Sequence, residues 1–123
     1  MPVNFPRPLF DKYLTGEIAN VSSASSFRLP IPSKGRLTKV LTVLGGAITG
    51  ADAVITVSVD STSVGTITVA NASSAEGDVD TLDLSDTDPD AYADEGGWLE
   101  FATDGGSTNA VELGIVAVWR ELT

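Results

Sequence analysis

The sequence predicts an all-β protein: a single β-sandwich or jelly-roll-like domain of about seven or eight antiparallel strands, preceded by an extended N-terminal arm. Three observations lead there. Short runs alternate apolar with polar side chains, the period of a half-buried strand. Turn residues punctuate those runs, as at Asp60-Ser61-Thr62, Gly96-Gly97 and Asp104-Gly105-Gly106. No stretch of ten or more residues carries the apolar period of an amphipathic helix.

Residues 1–14, MPVNFPRPLFDKYL, read as the arm, and residues 15–123 as the sandwich. Pro2, Pro6 and Pro8 fix φ and push their predecessors toward extended geometry. Val3, Phe5, Leu9, Phe10, Tyr13 and Leu14 are too apolar for a free tail, so the arm is expected to dock on a surface. GEIANVSSASSFRLPI (16–31) then holds one or two Ser-rich strands. GRLTKVLTVLGG (35–46) alternates, with Leu37, Lys39, Leu41 and Val43 on one side and Arg36, Thr38, Val40, Thr42 and Leu44 on the other. AVITVSVD and VGTITVA alternate on either side of Asp60-Ser61-Thr62, with Ile55, Val57, Val59, Ile67 and Val69 inward, and predict a hairpin.

The segment 76–95, EGDVDTLDLSDTDPDAYADE, follows as an acidic loop in which nine of twenty positions are Asp or Glu. Near its end Asp88-Pro89 has the form of an N-cap and first-turn proline, predicting one short helical turn within 89–94. WLEFAT and AVELGIVAVWR, joined by DGGSTN, read as a second hairpin. The IVAVW end of its last strand is apolar on both faces, as in a strand covered on both sides.

Composition narrows the chemistry. The length of 123 residues suits one core, able to hide roughly two-thirds of the unfolded surface. With no Cys and no His, the chain has no disulfide, thiolate or imidazole ligand, and no histidine general base. With no site constellation in view either, no enzyme activity and no cofactor are expected. The proline-rich start lacks the continuous apolar run of a secretory leader, and no stretch is long and apolar enough for a spanning helix, so a soluble chain is expected.

The net charge of −10 is uneven: residues 1–39 carry +4 and residues 40–123 carry −14, with Arg120 the one cation of the latter part. An acidic body repels nucleic acid and anionic membrane, so neither is an expected partner. The basic first third is where an acidic partner would be held.

Several residues were weighed for chemistry. Asp86, Asp88 and Asp90 have the first three spacings of a calcium loop, but Ala91 stands where a turn glycine is needed and Gly97 where a bidentate Glu belongs. They are weak calcium candidates, and the bland reading is a solvated, self-repelling loop. Glu100 and Glu112 would face each other across the last hairpin as a carboxylate pair, but no cleft is evident around them, and exposed strand glutamates are the commoner case. Trp98 and Trp119 suggest a sugar-stacking platform; Trp119 closes an apolar run and fits a core or a subunit contact better.

AVITVSVDSTSVGTITVA together with GGWLEFATDGGSTNAVELGIVAVWR resembles the small β proteins that decorate or cement tailed-bacteriophage capsids. Asp104-Gly105-Gly106-Ser107-Thr108 is the most specific fragment, and the pattern covers about residues 35–120. The resemblance implies a non-enzymatic structural protein on the outer surface of the virion. It would bind the major capsid protein, commonly as a homotrimer. Phe5, Leu9 and Phe10 would then fill apolar pockets on a capsid subunit or a neighbouring protomer, while Arg7 and Lys12 pair with its acids; the bland alternative is an arm folded back on its own sandwich. Similar patterns occur in phage tail and fibre modules, and such a module or a carbohydrate-binding β module is the alternative.

Overall fold

The computed structural model describes residues 11–122. Nine strands run in chain order: β1 Asp11–Ile18, β2 Ser25–Pro30, β3 Gly35–Leu44, β4 Ala53–Val59, β5 Thr62–Val69, β6 Val79–Asp83, β7 Tyr92–Ala93, β8 Trp98–Thr103 and β9 Leu113–Glu121. A 3-10 turn, Pro89–Ala91, precedes β7. Every pairing is antiparallel. Sheet one has the order β1-β9-β3-β6, with β7 also on β3; sheet two has the order β2-β8-β4-β5. Leaving aside β7, the strands nest as β1 with β9, β2 with β8, β3 with β6 and β4 with β5. That is a long hairpin rolled into two sheets, the jelly-roll form of the expected all-β sandwich.

The inner faces form one core. Leu37, Val40, Leu44, Ile115, Ala117 and Trp119 contribute from sheet one; Ile55, Val57, Val59, Leu99 and Phe101 contribute from sheet two. Phe27 and Phe101 stack across β2 and β8 with centroids 5.1 Å apart. Trp119 has no exposed surface. Its indole N–H donates to the Ser33 carbonyl at 2.9 Å, so burial leaves no orphan donor and ties β9 to the β2–β3 connection.

The β4–β5 hairpin forms as expected, through a two-residue turn in which Asp60 (φ 48°) and Ser61 (φ 73°) are both left-handed. Positive φ at both positions matches the right-handed strand twist. Asp60 meets the cost by bonding to the neighbouring strand: its N–H donates to the Trp98 carbonyl at 3.0 Å, and its carboxylate accepts from the Trp98 N–H at 3.0 Å.

Four expectations are corrected. The strict alternation of β3 fails, because its register with β9 shifts between Leu37 and Lys39. The extra residue is a β-bulge, which puts Leu37 inward together with Val40, Thr42 and Leu44. Thr38 secures it by donating its hydroxyl to the Val118 carbonyl at 3.0 Å. Second, β8 and β9 are not a hairpin: β8 lies between β2 and β4, β9 between β1 and β3, and the connection crosses from one sheet to the other. Third, residues 11–14, assigned to the arm, are the first half of β1 and pair with Ala117–Arg120. Fourth, the acidic stretch is not one loop; it contains β6, the 3-10 turn and β7.

The DGGSTN crossover is latched by hydrogen bonds. The Asp104 carboxylate accepts from the Val54 N–H at 3.1 Å and the Gly106 N–H at 2.9 Å. Asn109 accepts from the Thr49 N–H at 2.9 Å and donates to the Ala47 carbonyl. Gly105 has φ +75°, and a Cβ at Gly106 would stand 2.1 Å from the Asp52 carbonyl oxygen.

Two stability outcomes follow from these contacts. Gly106→Ala should destabilise by about 2 kcal/mol or more, because backbone rather than a flexible side chain blocks the methyl. Thr42→Val should raise stability by about 1 kcal/mol, since the Thr42 hydroxyl is buried with no hydrogen-bond partner. Urea titration of each variant measures both shifts.

Candidate docking face

Strand register lays the outer face of sheet one out as four rows. Tyr92, Arg36, Arg120 and Asp11 form the first, and Asp83, Lys39, Val118 and Tyr13 the second. Thr81, Leu41, Val116 and Thr15 form the third, and Val79, Val43, Gly114 and Glu17 the fourth. Side chains on one face of a sheet alternate with those in the core, so residues in register share a face. Of the five large apolar side chains most exposed to solvent among the described residues, four stand here: Tyr13 (67 %), Val79 (59 %), Val43 (45 %) and Tyr92 (39 %). The two-sided apolar character of IVAVW reappears here. Ile115, Ala117 and Trp119 fill the core, while Val116 and Val118 face the other way.

Cations gather on the same face. Arg36, Lys39 and Arg120 stand in its first two rows. Arg120 is held by Asp11, with Nε 2.9 Å from one carboxylate oxygen and Nη2 3.3 Å from the other. That bond, helped by the charges of Arg120, Arg36 and Lys39, outweighs the opposing effect of burial and holds the Asp11 carboxyl below the usual range. The pair therefore stabilises the fold above the ordinary carboxylate range and loses that contribution on acidification; half-exposed, it is worth little. Arg36 and Lys39 make no ion pair among the described residues. The Arg36 Nη1 atom is buried and has no acceptor. A concavity of about 380 Å³ opens between these groups, lined by Tyr13, Leu41, Leu84 and Val118, by Thr38, and by Arg36, Lys39 and the Arg120–Asp11 pair.

The outer face of sheet two differs. Ser26, Ala102, Thr56 and Thr66 lie in one row and Arg28, Glu100, Ser58 and Ser63 in the next. It is short-chained and hydroxyl-rich. Arg28 Nε sits 2.9 Å from a Glu100 oxygen, and its guanidinium lies 5.4 Å from the centroid of the Trp98 ring.

The residues singled out in the sequence fall into place as follows. Lys12, in β1, donates to the Ser33 hydroxyl at 3.2 Å and lies 3.9 Å from a Glu121 oxygen, engaged within its own domain. Phe5, Arg7, Leu9 and Phe10 lie outside the described residues. Glu100 and Glu112 do not face each other: Glu100 pairs with Arg28, while Glu112 borders Gly45 beyond the start of β9. Trp98 and Trp119 belong to different sheets and form no shared platform.

Among the described residues no group of three or more Asp or Glu could hold a metal ion, Asp86, Asp88 and Asp90 included. Asp88 caps the 3-10 turn, accepting from the Asp90 N–H at 3.0 Å, as its place before Pro89 suggested. The Asp86 carbonyl accepts from the Tyr92 hydroxyl at 2.6 Å. Sequence reasoning missed the docking face. Its signal was present in the outward members of five strands, but only pairing assembles them.

No protein-family model and no curated protein matches this chain. Solved structures share its fold. Dimeric latent PorU from Porphyromonas gingivalis is similar with a TM-score of 0.53 at 14 % identity, over 93 % of this chain and 13 % of that one. The catalytic unit of a thermostable GH87 alpha-1,3-glucanase from Streptomyces thermodiastaticus has a TM-score of 0.51 at 14 % identity, over 94 % of this chain and 26 % of that one. This chain thus spans a small part of either protein, and the likeness is one of fold alone. The extra small virus of the prawn Macrobrachium rosenbergii, seen as a virus-like particle, has a TM-score of 0.37 at 14 % identity over 88 % of its own chain; at that score the likeness carries no argument.

At the edge of sheet one, burial and then the neighbouring Asp78 raise the Asp80 pKa. A carboxyl with a raised pKa in the fold weakens the fold where it is ionised, and the cost disappears once it is protonated in both states. Asp80→Asn should therefore raise the melting temperature at neutral pH. The gain should fade as pH falls through the carboxylate range, which melting curves at a series of pH values would show.

Proposed function

We propose that the chain is a non-enzymatic structural protein that docks in many copies on the outer surface of a bacteriophage capsid and decorates or stabilises it. The observation that carries this reading is the outer face of sheet one, an exposed apolar sheet surface with cations, on a chain of net charge −10. Exposed apolar side chains gathered on one sheet face beside polar ones are a mark of interaction surfaces. The resemblance of VSVDSTSVGTITVA and TDGGST to capsid-decorating proteins supplies the partner, the major capsid protein.

The proposed attachment is multivalent. A protomer held by one weak contact gains little, but a homotrimer docked through one subunit presents its other subunits at high effective concentration. Phe5, Leu9 and Phe10 would add apolar anchors on the shell, and Arg7 would pair with its acids. Lys12, held by Ser33 and Glu121, is better placed to fix the end of β1 than to reach a partner. The exposed acids of segment 76–95 that stand outside the rows of sheet one's outer face, Asp86, Asp90, Asp94 and Glu95, would meet solvent and keep a coated particle dispersed.

A carbohydrate-binding module is the second reading. It draws on Trp98, which is 36 % exposed, but the Arg28 guanidinium stands over the indole ring that a sugar would use.

Deleting residues 2–10 leaves β1 intact and tests the attachment. The truncated protein should keep its melting temperature and lose most of its occupancy on phage heads in electron micrographs. Occupancy equal to the full chain would remove the arm from the mechanism, and labelling of tails rather than heads would end the capsid reading.

A further inference from the structure

We propose that the concavity on the outer face of sheet one binds an acidic protein segment that also carries apolar side chains. The carboxylates would be received by Arg36 and Lys39, and the apolar groups by Tyr13, Leu41 and Val118. This deepens the docking reading above and rests on it.

The chemistry of the lining chooses the occupant. Arg36 Nη1 is a buried donor without an acceptor, a state that costs free energy until an oxygen arrives. Lys39 stands in register between Asp83 and Val118 but forms no ion pair among the described residues. Arg120 is already neutralised by Asp11. Two cations without an ion pair therefore border an apolar lining, and a bidentate guanidinium suits a carboxylate. A segment of carboxylates alone would leave Tyr13, 67 % exposed, uncovered, and a purely apolar one would bury two cations unpaired.

Two other occupants fit the charges less well. The chain's own residues 1–10 contain Arg7 and no acid, and would set cation against cation. A face-to-face dimer would bring Arg36 and Lys39 of two copies together, since a twofold contact uses the same patch twice.

The test uses the full chain, isotope-labelled for amide NMR, and a random copolymer of glutamate and tyrosine as the probe. Amides of Tyr13, Arg36, Leu41 and Val118 should shift with this probe, less with polyglutamate, and not with a lysine–tyrosine copolymer. Added salt should weaken the response. The double variant Arg36→Glu/Lys39→Glu should bind the probe about tenfold more weakly or less, the loss of at least one charge-assisted contact. Its amide spectrum outside this face should be unchanged, and Arg28→Glu on the other sheet should bind as the parent does.

Equal response to the lysine–tyrosine copolymer, or shifts confined to other surfaces, would overturn the proposal. So would shifts at these amides that grow with protein concentration alone, which mean a second copy, or that follow deletion of residues 2–10, which mean the chain's own segment. Probe binding at this face by a protein that coats no heads would sink the capsid reading and leave this one standing. Wild-type coating by Arg36→Glu/Lys39→Glu would do the reverse.

Discussion

Strand β9 is the constraint on which the molecule depends. It is the central strand of sheet one, hydrogen-bonded to β1 on one side and β3 on the other. Its inward residues, Leu113, Ile115, Ala117 and Trp119, supply a large part of the core. The Trp119 indole is wholly buried, and its single donor is met by the Ser33 carbonyl. Close packing around so large a ring requires absent side chains nearby: a Cβ at Gly35 would stand 2.7 Å from the indole nitrogen and 2.1 Å from the Arg120 carbonyl oxygen. The same strand sends Val116, Val118 and Arg120 the opposite way, and so builds the middle of the outer face of sheet one.

Core and face are therefore coupled through backbone geometry. The bulge at Thr38 keeps Leu37 and Val40 both inward, and by the same shift it puts Arg36 and Lys39 both on the outer face, flanking the Thr38 hydroxyl bond to Val118. Without the extra residue, one of the two cations would point into the core or Leu37 would leave it, because a one-residue change of register reverses the faces of a strand. A local irregularity of this kind commonly re-aims side chains beside functional surfaces.

The acidic segment has a structural side as well. It supplies the edge strand β6, whose charges blunt pairing with other sheets, and a capped 3-10 turn that leads into β7. Asp80 pays for its place at that edge with a raised pKa. The DGGST fragment, which carries most of the resemblance to capsid-decorating proteins, is occupied in holding the crossover between sheets: Asp104 bonds backbone on both sides of it. Its conformation thus speaks for the fold, while the surface chemistry lies on β1, β3, β6 and β9.

Alternation and turn chemistry by themselves determined the all-β class, the β4–β5 hairpin and the N-cap at Asp88; for Trp119 they left a core and a subunit contact both open. These are local properties, fixed by a period of two and by residues suited to particular φ values. Tertiary structure alone decided which strands are neighbours. WLEFAT and AVELGIVAVWR alternate like a hairpin, yet they sit in opposite sheets, and Glu100 meets Arg28, 72 positions away, instead of Glu112. A strand's pattern says which side is apolar and nothing about the backbone it will bond to; the outer face of sheet one, drawn from five strands spread along the chain, exists only once those bonds are made.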